Sequence, residues 1–298
     1  MENNSPTYPR QAPDTFLISS RLMSIPSVIR YLIILAVTLV TGCASVTSNK
    51  SAKLQFNDSL SSTAQRSRVE LIVLHYTASN SISSKLTLTQ KDVSAHYLVT
   101  DDDPPIVYRI VPESQSAWHA GDSSWYGRTY LNSSSIGIEV VHPGWVRNTN
   151  GNAGIPYPRE QINVVTKLVQ DIAARHKVPP ENIVGHSDIA PSRKQDPGPA
   201  FPWKELAQSG LGRWFDENKA IQLEGEFKKK GVPDTKWFQA QLKRVGYNVP
   251  ENGQLDSSTK AVIAAFQQHY RPSQVSGLPD AETAARLSAL PTTGTNFR

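Results

Sequence analysis

Two histidines in this chain stand where strands would release their side chains into open space. His75 directly follows the apolar run Val69 to Leu74 (VELIVL), and His186 follows Ile183-Val184 and Gly185. Side chains at the ends of buried strands project into clefts, where ligands can reach them. The loop after His186 (SDIAPSRKQDPGPAFPW) carries Lys194 and, ten positions past the histidine, Asp196. Two imidazoles and one carboxylate leave a tetrahedral cation one open position, which is the ligand set of a hydrolytic zinc site. His75 and His186 are 111 positions apart, so no short chelating helix joins them. Residue types and spacing alone leave two readings open, a metal centre and a set of structural histidines.

The surrounding pattern alternates strands with helices. Val69 to Leu74 suits a buried central strand. Ser94 to Thr100 and Ile106 to Val111 read as further strands, with Asp101 to Pro105 turning between them, and Ile136 to Val141 (IGIEVV) as another. Tyr157 to Val178 is the clearest helix, with Ile162, Val165, Leu168, Val169 and Ile172 at three- and four-residue spacing before Pro179-Pro180. Pro202 opens a last helix to about Leu211. This mixture predicts one α/β domain over 65–215. The charged segment 216–230 reads as a linker, and three short helical stretches near 235–246, 256–270 and 280–289 follow, within a small domain over 231–292. Phe238, Leu242, Val245, Val262 and Phe266 supply a modest core for it.

At 38% hydrophobic and 19% charged residues, the 298-residue chain is unlike a disordered or polytopic membrane protein. Arg10, Arg21 and Arg30 against Glu2 and Asp14 account for one unit of the net charge of +5. The rest suits work beside an anionic polymer; with no basic cluster interleaved with aromatics, nucleic acid is not expected as a partner. Cys43 is the single cysteine, which excludes an intramolecular disulfide. It follows the 11-residue run Tyr31 to Thr41, too short for a membrane span and suited to a signal-peptide core. Val40-Thr41-Gly42-Cys43 resembles a bacterial lipobox. That implies a leader over 1–42 (with Met23 an alternative start), lipidation of Cys43, and a polar tether over 43–64. Ala44 after the cysteine resembles the pattern of lipoproteins sent to the outer membrane, so the expected location is its periplasmic side.

Five segments occur in order: IVLHYTAS (72–79), SAHYLV (94–99), AWHAG (117–121), SSIGIEVV (134–141) and VGHSDIAPSRKQDPGPAFPW (184–203). Together they resemble the zinc-dependent N-acetylmuramoyl-L-alanine amidases of the phage T7 lysozyme and peptidoglycan recognition protein type. FQAQLKRVGY, LDSSTKAVIAAFQ and GLPDAETAARL in the tail resemble the three-helix peptidoglycan-binding module. The combination is similar to lipid-anchored outer-membrane amidases. The resemblance implies a central mixed sheet flanked by helices, with a small C-terminal three-helix domain. It implies one zinc ion on His75, His186 and Asp196, Glu139 as acid/base, and Lys194 facing the reacting carbonyl. His96 and His119 would line the cleft or hydrogen-bond within it, without ligating. The implied reaction cuts the lactyl–L-alanine amide of peptidoglycan or muropeptides. Binding without cutting, or cutting within the stem peptide, are the alternatives. The tail is expected to be separable, so removing 231–298 should weaken binding to sacculi more than hydrolysis of a small muropeptide.

Overall fold

Strand β1 (Leu71–Tyr76) alternates its side chains between two different surroundings. Ile72 and Leu74 face a core shared with Ile136, Ile138, Val165, Val169 and Ile172. Leu71 and Val73 face another core, which contains Trp125, Ile189 and residues of the C-terminal helices. The computed structural model describes residues 53–145 and 154–291. Residues 53–63 carry no helix or strand and are exposed. The apolar run 31–41 and Cys43 lie outside the described residues. Among the described residues no helix is long and apolar enough to cross a membrane.

From Ala64 onward the chain forms one unit. After β1, Asn80 caps helix α1 (Ser81–Gln90) by accepting the Ser83 N–H. Strands β2 (Tyr97–Val99) and β3 (Val107–Arg109) pair antiparallel, and β4 (Ser124–Trp125) and β5 (Arg128–Thr129) form a separate two-stranded ribbon. Strand β6 (Ser135–Val140) then enters beside β1, and helix α2 (Arg159–His176) covers the Ile72 face with Ile162, Val165, Val169 and Ile172. Strand β7 (Ile183–Gly185) completes a mixed sheet of order β3-β2-β6-β1-β7, in which β2, β6, β1 and β7 run parallel. The single turn α3 (His186–Ile189) and helix α4 (Trp203–Gln208) close the α/β part.

The segment read as a linker is a helix, α5 (Glu217–Lys230). Asp216 caps it, and Glu224–Lys228 and Glu226–Lys230 pair along its exposed side. Its abundant charge hides a stripe at Ala220, Leu223 and Phe227 that packs into the C-terminal core. Helices α6 (Thr235–Arg244), α7 (Ser257–Tyr270) and α8 (Ala281–Ala289) follow.

Those last three helices contain a structural repeat. Phe238-Gln239 and Phe266-Gln267 each bury a phenylalanine beside a glutamine that bridges the next loop. Gln239 Oε1 accepts the Gly253 N–H and its amide donates to Thr259 Oγ1; Gln267 Oε1 accepts the Gly277 N–H and its amide donates to Thr283 Oγ1. Asp256 and Asp280 cap the helices that carry those threonines. Both glycines have positive φ (73° and 72°), the left-handed conformation that favours residues without a Cβ.

Candidate metal centre

The parallel register of β1 and β6 sets His75 level with Glu139 on one face, at the strand ends. Strand β7 on the other side of β1 delivers His186 at its own C-terminal end, through Gly185. Asp196 returns to the same place because the Ser187 N–H donates to its carbonyl (2.8 Å). His75 Nδ1 and His186 Nδ1 lie 2.9 Å apart, and Asp196 Oδ2 lies 2.9 Å from the first and 3.0 Å from the second. All three residues are buried, with their ligand atoms within 4.8 Å of one another.

The donor set suits zinc. Ligands about 2.0–2.1 Å from a tetrahedral ion stand roughly 3.3 Å from each other, close to the spacing found here. Two nitrogen lone pairs and a carboxylate oxygen converging with no proton between the imidazoles are otherwise repulsive, and a cation relieves that repulsion.

Hydrogen bonds fix which nitrogens carry protons. Ser135 Oγ–H donates to the Leu131 carbonyl (2.6 Å), so its oxygen accepts from His119 Nε2–H (3.1 Å). His119 Nδ1 is then an acceptor and takes the proton of His75 Nε2–H (3.0 Å), which leaves His75 Nδ1 with its lone pair. His186 Nε2–H donates to the Ala120 carbonyl (3.1 Å), with the same result at its Nδ1. Burial pushes the His75 imidazolium down to about 4, with His186 adding to the effect against the opposing pull of Asp196. Burial, with His75, His96 and His186 nearby, keeps His119 well below the usual imidazole range. Burial alone would raise the Asp196 carboxyl, but the neighbouring His186 and His75 lower it by more, so the group stays a carboxylate. The ligands are thus in the protonation states a metal requires.

Gly137 makes room for this chain of bonds. A Cβ there would lie 2.4 Å from the His119 ring, so only glycine lets the ring rest against β6. Its N–H donates to His96 Nδ1 (3.0 Å). His119 lines the cleft, and His96 sits behind it, with ring centroids 5.8 Å apart, as a hydrogen-bonding group.

Glu139 and Lys194 line the same cleft of about 260 Å³, together with His75, His186 and Asp196. Glu139 Oε2 is shielded from solvent and has no hydrogen-bond partner among the described residues. Burial pushes the Glu139 carboxyl up to about 8; Asp196 adds to this and Lys194 opposes it. A carboxylate poised near neutrality beside a metal ligand set has the properties of a proton carrier. Trp118, 62% exposed, stands at the rim, while Trp125 and Tyr126 pack against Gly246 of the C-terminal module.

A model of the N-acetylmuramoyl-L-alanine amidase family matches residues 65–199, and one of a peptidoglycan-binding domain matches 231–287. The N-acetylmuramoyl-L-alanine amidase AmiD of Escherichia coli K12 is 40% identical over 87% of this chain and 95% of its own length. This chain belongs to the N-acetylmuramoyl-L-alanine amidases. The solved structure of AmpDh3 from Pseudomonas aeruginosa superposes on the amidase with a TM-score of 0.71 at 36% identity, over 80% of this chain and 97% of that one. That of the Escherichia coli AmiD complex gives 0.69 at 40% identity, over 79% and 93%.

Sequence reasoning passed over two residues that bear on the amidase site, Ser135 and Asp188. Ser135 ends the proton chain through His119, and nothing in a strand-initial serine signals that role. Asp188 stands two positions after His186 and is buried against Tyr247 and His269 of the C-terminal module. Its place inside the HSD triplet was the available signal, but the partners are 59 and 81 residues away.

Proposed function

We propose that this hydrolase holds one zinc ion on His75, His186 and Asp196 and cuts the amide between the lactyl carbonyl of N-acetylmuramic acid and L-alanine. The observation that carries the reading is the convergence of three deprotonated ligand atoms from remote parts of the chain, with Glu139 and Lys194 lining the same cleft. Zinc supplies Lewis acidity there, polarising a carbonyl and drawing the pKa of water toward about 7.

Glu139 Oε2 takes the proton of the attacking water as its oxygen bonds to the lactyl carbonyl carbon. The same oxygen then gives that proton to the L-alanine nitrogen as the carbon–nitrogen bond breaks, since an amide nitrogen leaves poorly without one. The Lys194 ammonium offsets negative charge growing on the carbonyl oxygen. Burial of His75, His186 and Asp196 holds these groups in a low-dielectric pocket where such charge effects are strongest. Substrates are muropeptides and peptidoglycan; the AmpDh3 and AmiD structures were determined with an anhydromuramic pentapeptide and an anhydro-N-acetylmuramic acid tripeptide, which supports that class.

The same proposal extends to location. Cleavage before Cys43 and its lipidation, with palmitate among the acyl chains, would anchor the enzyme to the periplasmic side of the outer membrane. The support is the apolar run 31–41, the Val40 to Cys43 pattern and Ala44. Palmitate labelling that persists in Cys43→Ala would overturn it. For the chemistry, full-length enzyme is incubated with soluble muropeptides with and without chelator, and the products are read by mass spectrometry. Chelator-sensitive peptides beginning with L-alanine are expected; products cut within the stem would refute the assignment.

A further inference from the structure

The C-terminal module reaches the metal centre through one buried carboxylate. The turn α3 begins at His186, and its capping N–H, that of Gly185, donates to Asp188 Oδ2 (2.7 Å). A carboxylate at this helix position fixes where the turn starts. Asp188 is 1% exposed, and its other hydrogen bonds come from the C-terminal module. His269 Nδ1–H donates to Oδ2 (2.8 Å), and the Tyr247 hydroxyl donates to Oδ1 (2.6 Å). Among the described residues, Gly185 is the one donor to Asp188 from the α/β part.

Both module residues are themselves immobilised. The His269 ring is stacked on Trp203 at 3.9 Å and on Tyr270 at 4.1 Å, each within 14° of parallel. Tyr247 packs edge-on against Trp125 at 5.2 Å. The loop they hold has no slack, because a Cβ at Gly185 would lie 2.7 Å from Pro197, the neighbour of Asp196. Further ties cross the same boundary: the Tyr126 N–H donates to the Gly246 carbonyl, and the Arg213 guanidinium to the Val245 carbonyl. A freely separable module would leave the catalytic loop complete; removing this one would leave the Asp188 carboxylate with the Gly185 N–H as its donor among the described residues.

We propose that Tyr247 and His269 are positioning residues of the metal centre, holding α3 through Asp188 so that His186 presents Nδ1 to the ion. The inference rests on the zinc reading above. It also turns the expectation for the tail around: loss of the module costs metal affinity and turnover on small muropeptides, in addition to binding of sacculi.

The test compares the full-length, zinc-loaded wild type with His269→Phe, His269→Asn and Tyr247→Phe. Zinc affinity is measured by chelator competition, alongside kcat and KM on a soluble muropeptide, sacculus binding and thermal melting. His269→Phe keeps a ring between Trp203 and Tyr270 but has no donor. It should weaken zinc binding about 10-fold, the scale of an outer-sphere defect, with sacculus binding retained. His269→Asn, whose amide N–H reaches the Nδ1 position, should recover most of that loss. Tyr247→Phe removes only a hydroxyl and should weaken zinc by a smaller factor; it decides the matter should the His269 variants fail to fold. A purely structural contact would lower melting temperatures without moving zinc affinity and without rescue by asparagine. Wild-type zinc affinity in both phenylalanine variants overturns the positioning role alone, whereas a wild type that binds no zinc overturns the metal reading with it.

Discussion

The two faces of the central sheet use the same strands for opposite purposes. On one face, Ile72, Leu74, Ile136, Ile138 and Val140 are sealed under α2 in a continuous apolar core. On the other, each strand grades from packing to chemistry, Leu71 and Val73 to His75 on β1 and Ser135 and Gly137 to Glu139 on β6. Because side chains alternate, one residue of shift in register would exchange the two sets. The dry face supplies the stability that lets the other face keep a shielded, unpartnered Glu139 Oε2 and three close ligand atoms.

Substitutions separate these roles. The largest effect is expected for Glu139→Ala, which should keep one zinc per chain yet lower turnover by about 10²–10⁴-fold; metal analysis with steady-state kinetics checks both halves. Ile138→Ala, one residue away on the dry face, should cost roughly 2–5 kcal/mol in denaturant unfolding with zinc affinity unchanged. A fall in zinc affinity instead would merge the two faces into one. Gly137→Ala should cost about 1–3 kcal/mol by overpacking against His119, and should weaken zinc as well, because His119 holds the proton of His75.

One further effect has a direction set by pH. In the metal-free protein, burial raises Glu139 to about 8, above an ordinary glutamic acid near 4.3. The folded state therefore holds a proton that the unfolded chain has lost, and stability falls as pH rises through that interval. Glu139→Gln never ionises. Its melting temperature in chelator should match wild type near pH 4 and exceed it increasingly toward pH 8. An advantage that is constant with pH would remove burial of charge as the cause.

Much of this arrangement was legible in the sequence, for identifiable reasons. Strands β1 and β6 and helix α2 carry strong periodicity, and His75 and His186 stand at strand ends where ligands belong. Helix α1 escaped because SISSKLTLTQ is rich in Ser and Thr and its apolar residues mostly face out. Helix α5 escaped because charge outnumbers its apolar stripe. The contacts of the module with Asp188 were not legible because they are made by side chains with no local pattern, a tyrosine after a glycine and a histidine late in α7. The glutamine repeat was in plain view, as FQ followed by a glycine loop and a capped threonine, yet only the hydrogen bonds give it meaning.

The central claim is that three residues remote along the chain share one ion. Zinc titration of the full-length protein, against His75→Ala, His186→Ala and Asp196→Ala, tests it most directly. One tightly held zinc per wild-type chain, weakened by orders of magnitude in every variant together with muropeptide hydrolysis, is the predicted result. A wild type that releases L-alanine-terminated peptides at full rate with no metal bound would contradict it.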